Sequence, residues 1–167
     1  MGISFQVRVP DGVEELESGP PEEVALQNAS RKAAAVAKES APDELVLGVD
    51  TIVCIGARIY GKPGDAHAAR ATLSALSGRR HRVISGLCLA DGGQTRTVAV
   101  TSVVEFRTLD EWLIGWYVAS GEWRERAGGY AIQGRGAALV ARIEGDYLNV
   151  VGLPVAALLE LQPALLG

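Results

Sequence analysis

The sequence predicts an α/β fold, a mixed sheet with flanking helices. Three observations lead there: short apolar runs of strand length, intervening stretches with apolar residues at helical spacing, and glycine turns tight enough to join neighbouring strands. The alternation of the first two argues for helices laid on a sheet, and the tight turns require antiparallel hairpins within it. No composition break marks a linker in the 167 residues, so a single domain over 1–167 is expected.

The elements follow in order. Ile3 to Val9 alternates apolar and polar residues and is expected to be a strand. The segment from Asp11 to Pro20 is acidic, with glycine and proline, and is expected to be a loop. Pro21 suits the first turn of a helix, with Leu26, Ala29, Ala33, Val36 and Ala37 on one face and Lys32 on its flank. There a lysine packs its stem and sends its amine into a cleft. Glu44 to Ile55 is a buried strand carrying Asp50, followed by a short hairpin between Gly56 and Gly61. A helix from Ala66 to Leu76 is capped by Asp65. Val83 to Ala90 and Thr95 to Phe106 form two strands around Asp91-Gly92-Gly93. Thr108 and Glu111 have capping-box spacing for a helix through Tyr117. After a glycine-rich loop from Gly128 to Gly136, Leu139 to Ile143 is a strand and Pro154 begins a last helix.

Composition excludes several classes. No apolar run is long enough to span a membrane. Met1-Gly2 opens no signal peptide, and Gln6 stands where a myristoylation motif wants Ser or Thr. Cys54 and Cys88 lie in apolar strands and are expected as buried thiols of a cytoplasmic protein, ahead of a disulfide. A net charge of −4 argues against binding nucleic-acid backbone. A small phosphate-bearing ligand would then need a local cationic pocket or a divalent metal.

Several residues are chemical candidates. Asp50, an acid within an apolar strand, needs a partner: it either serves as metal ligand or proton acceptor, or is a structural aspartate bonded to backbone amides. Lys62, in Gly61-Lys62-Pro63, is a point charge suited to phosphate or a residue of a surface turn. Gln133, among the glycines of 128–136, suits a base edge or phosphate, or lies in a flexible loop. Glu14 and Glu15 offer a metal ligand or a solvated charge run. His81, in Arg79-Arg80-His81-Arg82, belongs to a basic patch or a solvated turn. Trp112, Trp116 and Tyr117 have the spacing of a core or interface stripe.

Taken in order, these segments resemble the Maf family of nucleotide pyrophosphatases. The matching pieces are Ser30-Arg31-Lys32-Ala33, Gly48-Val49-Asp50-Thr51, Gly61-Lys62-Pro63, Leu76-Ser77-Gly78 with His81 and Val83, Ala127 through Gly134, Gly145-Asp146-Tyr147, and Asn149 through Pro154. The resemblance covers nearly the whole chain. It implies a cleft between two lobes of a fold similar to that of inosine triphosphate pyrophosphatases. It also implies cleavage of a nucleoside triphosphate to monophosphate and pyrophosphate with a divalent metal, Mg or Mn. Asp50 then matches the proton-accepting aspartate and a metal ligand. Glu15, or its neighbour Glu14, matches the acidic residue of the preceding loop. Lys32 and Lys62 match phosphate-contacting lysines, and Thr51 and Gln133 match positions tied to substrate choice. Ile132 to Gly136 is similar to the subgroup acting on dTTP and UTP rather than on 7-methyl-GTP. A homodimer is also implied, to which the aromatic helix around Trp112 and Trp116 offers an interface.

The chain departs from that family in two places. The family begins with a strand and a Ser-x-Ser-x-x-Arg loop that grips phosphate at a helix N-terminus. This sequence starts at what looks like the strand after that helix. Its lack is expected to expose apolar surface and an unpaired sheet edge, and leaves a non-catalytic nucleotide-binding protein as the alternative function. Arg126 stands where the family often has lysine.

Overall fold

The computed structural model describes residues 3–10 and 12–166, so Met1, Gly2 and Asp11 of the readings above lie outside the described residues. Helices α1 (Pro21–Ala37), α2 (Ala66–Leu76), α3 (Glu111–Ala119), α4 (Tyr147–Val151) and α5 (Val155–Leu161) flank a five-stranded sheet. Its strands are β1 (Val46–Ile55), β2 (Arg58–Tyr60), β3 (Arg80–Asp91), β4 (Gln94–Phe106) and β5 (Val140–Glu144), in the order β2-β1-β3-β4-β5. The α/β class is as expected, but all four ladders are antiparallel rather than mixed. Tight turns join β1 to β2 and β3 to β4, the connection through α2 crosses β1 so that β2 and β3 run in the same direction on either side of it, and the connection through α3 returns the chain antiparallel.

The helix α1 lies very close to the sheet. Its buried stripe is Val24, Ala25, Asn28, Ala29 and Ala33, while Leu26 is only half-buried. Small residues on the helix meet glycines on the strands below. A Cβ at Gly48 would lie 2.2 Å from the Ala29 carbonyl oxygen, and one at Gly86 2.3 Å from that of Ala25. The opposite side holds the larger core, where Leu73 and Leu76 of α2 and Tyr117 of α3 pack with Val83, Val104 and Phe106 of the sheet. Asp65 caps α2 as expected, its carboxylate accepting from the Ala68 amide at 2.7 Å.

Three expectations need correction. Residues 3–9 form no strand: Phe5, Val7 and Val9 are exposed, and no described strand pairs with them. Alternation marks a segment that could lie on a surface, but a strand exists only when a neighbour takes its amides and carbonyls. The cap of α3 is Asp110, which accepts from the Leu113 amide at 2.8 Å, and not Thr108, because the short aspartate side chain lies one residue before the first turn. The helix α4 lies where none was expected, although Asp146 and Gly152 bracket it as N-cap and left-handed C-cap.

The edge of β1 positions the site. Only Val53 to Ile55 pair with β2, so among the described residues Val46 to Ile52 have a neighbour on the β3 side alone. Asp50 and Thr51 lie on that uncovered stretch.

Candidate active site

Asp50 shares the α1 side of β1 with Ile52 and Cys54, which pack under the helix. Its carboxylate is buried, and its partners are side chains of α1 rather than backbone amides. Lys32 donates to Oδ1 at 2.6 Å and Asn28 donates to Oδ2 at 3.1 Å. These two donors are four residues apart, one turn along the same helix face. The Lys32 ammonium also meets Glu15 Oε1 at 2.7 Å. It is the loop residue Glu15, and not Glu14, that reaches this cation; the Glu14 carbonyl instead accepts from Arg31 at 2.8 Å. The Lys32 hydrogen bond, followed by its charge, holds the Glu15 carboxyl below its usual range against the opposing effect of burial. Burial works against the Lys32 charge, yet hydrogen bonds to Asp50 and Glu15 raise its pKa overall.

A cleft of about 240 Å³ opens beside this cluster. Lys32, Asp50, Thr51, Lys62 and Gln133 all line it, and Arg126 stands at its wall. Glu15 does not line it but is joined to it through Lys32. Lys62 is half-exposed and faces Glu125 at 3.6 Å. Glu125 holds a left-handed conformation, φ 58°. The Thr51 hydroxyl is within hydrogen-bond distance of Ser85 Oγ at 2.8 Å and donates to the Gly152 carbonyl at 3.4 Å. It thereby links the strand to the end of α4.

The glycine-rich segment is held by specific contacts and contains 3-10 turns at Ala127–Gly129 and Arg135–Leu139. The Gly128 amide donates to the Gly61 carbonyl at 3.2 Å, joining this segment to the turn that carries Lys62. Gly128 has φ 69°, and a Cβ there would meet the Val53 side chain at 2.9 Å, so only glycine fits. Beyond it Tyr130 and Ile132 are buried, while Gln133 is exposed to the cleft. Tyr117 contributes more than packing, since its hydroxyl accepts from the Ala131 amide at 2.9 Å. Trp112 is 73% exposed and stacks on Trp116.

His81 is neither in a basic patch nor in a solvated turn. It is 2% exposed on β3, with Nε2 2.9 Å from the Tyr130 hydroxyl and its ring edge-on to Phe106. The inward phase of the strand turns it away from Arg80 and Arg82. Burial lowers its pKa to about 4. An unfolded histidine titrates near 6.5. Between these values the unfolded chain binds a proton that the folded chain refuses, so stability falls as pH falls from about 6.5 to 4. The expected loss is about 3 kcal/mol, read as a decline in urea midpoint that a His81→Leu variant flattens. Carboxylates held low, such as Glu15, begin to cost stability only as pH approaches about 4.5, so the decline above about pH 5 belongs to His81.

The donors also suit a divalent cation. Two carboxylates, Asp50 and Glu15, converge on one positive charge, and hard cations of the Mg class bind one or two carboxylates with water and phosphate oxygens. No closed cage of three or more His, Cys, Asp or Glu groups exists among the described residues. The set therefore fits a cation shared with a phosphate ligand. Cys54 and Cys88 are both buried and free. No helix among the described residues is long and apolar enough to cross a membrane.

Sequence reasoning missed Asn28. The available signal was a polar residue on the apolar face of α1, one turn before Lys32. It also missed Ser85 and Asn149, buried groups that hold the cleft wall from behind.

Comparison with known proteins finds the resemblance along nearly the whole chain. The family model described as Maf-like protein matches residues 1–164. A dTTP/UTP pyrophosphatase of Pyrococcus furiosus is 45% identical over 141 residues, covering 84% of this chain and 74% of that protein. That of Thermococcus kodakarensis is 42% identical, covering 95% of this chain and 84% of its own length. That of Symbiobacterium thermophilum is 44% identical, covering 93% and 80%.

Proposed function

The chain belongs to the Maf-like protein family, and from that premise we propose that it hydrolyses dTTP- and UTP-like nucleoside triphosphates to the monophosphate and pyrophosphate. The observation that supports this most is the meeting of Asp50, Lys32, Lys62, Thr51 and Gln133 in one cleft. They come from four separate stretches of sequence.

The proposed chemistry is attack of water at the α-phosphorus. Asp50 accepts the proton of that water, a role that suits a carboxylate whose orientation is fixed by two donors. Lys62 leaves its loose contact with Glu125 and neutralises phosphate oxygens as charge shifts onto the leaving pyrophosphate. Lys32 holds Glu15 ionised and in place beside Asp50. A divalent cation of the Mg or Mn class, held by Asp50 and Glu15, would supply further charge neutralisation on the triphosphate. Gln133 offers an amide donor and an amide acceptor side by side, matching the adjacent N–H and C=O of a uracil or thymine edge. Thr51 shapes the wall through its bond to Gly152.

The test is incubation of the chain with Mg²⁺ or Mn²⁺ and a panel of nucleotides that includes dTTP, UTP, CTP, GTP and 7-methyl-GTP. Monophosphate and pyrophosphate should appear fastest from dTTP and UTP. Calorimetric binding of nucleotide with no product from any member of the panel would replace this reading with that of a non-catalytic binder.

A further inference from the structure

Asn28 is 2% exposed, and its carboxamide is used on every side. Its oxygen accepts from the Leu16 amide at 2.7 Å. Its nitrogen donates to the Leu16 carbonyl at 3.1 Å and to Asp50 Oδ2 at 3.1 Å. The exchange with Leu16 copies a peptide-to-peptide pair and pins the loop to α1. The second N–H has a separate task, because Asp50 Oδ1 is already held by Lys32 at 2.6 Å. With one donor on each oxygen, the carboxylate cannot turn about its Cβ–Cγ bond without breaking a buried contact. A carboxylate offers about four lone-pair sites, so the remaining ones are left for the cleft.

Leu16 directly follows Glu15. The same side chain therefore fixes where Glu15 arrives on Lys32 and how Asp50 is oriented. We propose that Asn28 is a positioning residue for the reaction, holding Asp50 in its working orientation and placing Glu15 in register beside it. This rests on the hydrolytic reading above. The nearest substitutes each lose part of this arrangement. Aspartate would oppose one carboxylate with another, leucine has the bulk without the donors, and glutamine is one methylene too long.

The test compares Asn28→Asp and Asn28→Leu with the wild-type chain, using UTP and Mg²⁺. Loss of a group that orients a ligand or catalytic residue typically lowers activity or metal affinity about 10–100-fold. Both variants should lose kcat by about that factor. KM for UTP should stay within about threefold, and the Mg²⁺ concentration for half-maximal rate should rise about tenfold. A role confined to holding the loop predicts a lower Tm with unchanged kcat per folded molecule and an unchanged Mg²⁺ requirement. That result would overturn the proposal while leaving the hydrolytic reading intact, whereas a wild-type chain without turnover overturns both. A further measurement does not depend on whether the Asn28 variants fold. In wild-type protein the Asn28 side-chain NH₂ protons should resist solvent exchange, and one of them should lose protection in Asp50→Ala. Rapid exchange of both in the wild type would also refute the inference.

Discussion

Asp50→Asn is expected to reduce kcat by about 10²–10⁴-fold, the usual contribution of a positioned general base. Binding of nucleotide, followed by calorimetry, should survive. The substitution keeps the size of the side chain but replaces one acceptor by a donor. Both carboxylate oxygens currently accept, one from Lys32 and the other from Asn28. Whichever way an asparagine is placed at position 50, its NH₂ group meets another donor. Leaving buried donors unmatched costs about 1–3 kcal/mol. The variant should therefore also unfold at lower temperature. Turnover measured well below that temperature separates the two effects, and a kcat within threefold of wild type there would remove Asp50 from the proposed chemistry.

Gly48→Ala and Gly86→Ala should each destabilise the protein by about 3 kcal/mol, the upper end of ordinary overpacking. The new methyl groups would sit 2.2 and 2.3 Å from backbone oxygens of α1, and backbone cannot rotate aside as a side chain can. For a domain of this size such a loss lowers Tm by about 6–12 °C. Activity should fall further than stability, because the displaced helix carries both Asn28 and Lys32. Gly64→Ala is the control: no atom lies within 4 Å of its Cβ position, so it should unfold at nearly the wild-type temperature.

Legibility in the sequence followed the range of the interaction. Pro21, Asp65 and the Asp91-Gly92-Gly93 turn act within a few residues, and each stands where the chain predicted it. The run Ile3 to Val9 carried the pattern of a strand without the partner that makes one. The short helix α4 was bracketed by its own cap residues, but too short for a periodic face to announce it. In the site, the flank position of Lys32 foretold that its amine would enter a cleft. Asn28 showed only as a polar residue on the apolar face of α1, and its partners Leu16 and Asp50, 12 and 22 residues away, could not be read from that. His81 was misjudged from its charged neighbours. Strand phase, not local composition, decides which of Arg80, His81 and Arg82 faces inward.

The alternation of side chains along β1 separates two tasks between adjacent residues. Asp50 turns toward α1, where Lys32, Asn28 and Glu15 are gathered. Thr51 turns the other way, toward Ser85 and the carbonyl of Gly152. On the proposed reading, the proton-accepting carboxylate and the wall shaped by Thr51 are thus carried by opposite faces of one strand, within one cleft. Substitutions around Thr51 and the end of α4 can then accumulate without disturbing the carboxylate–ammonium cluster.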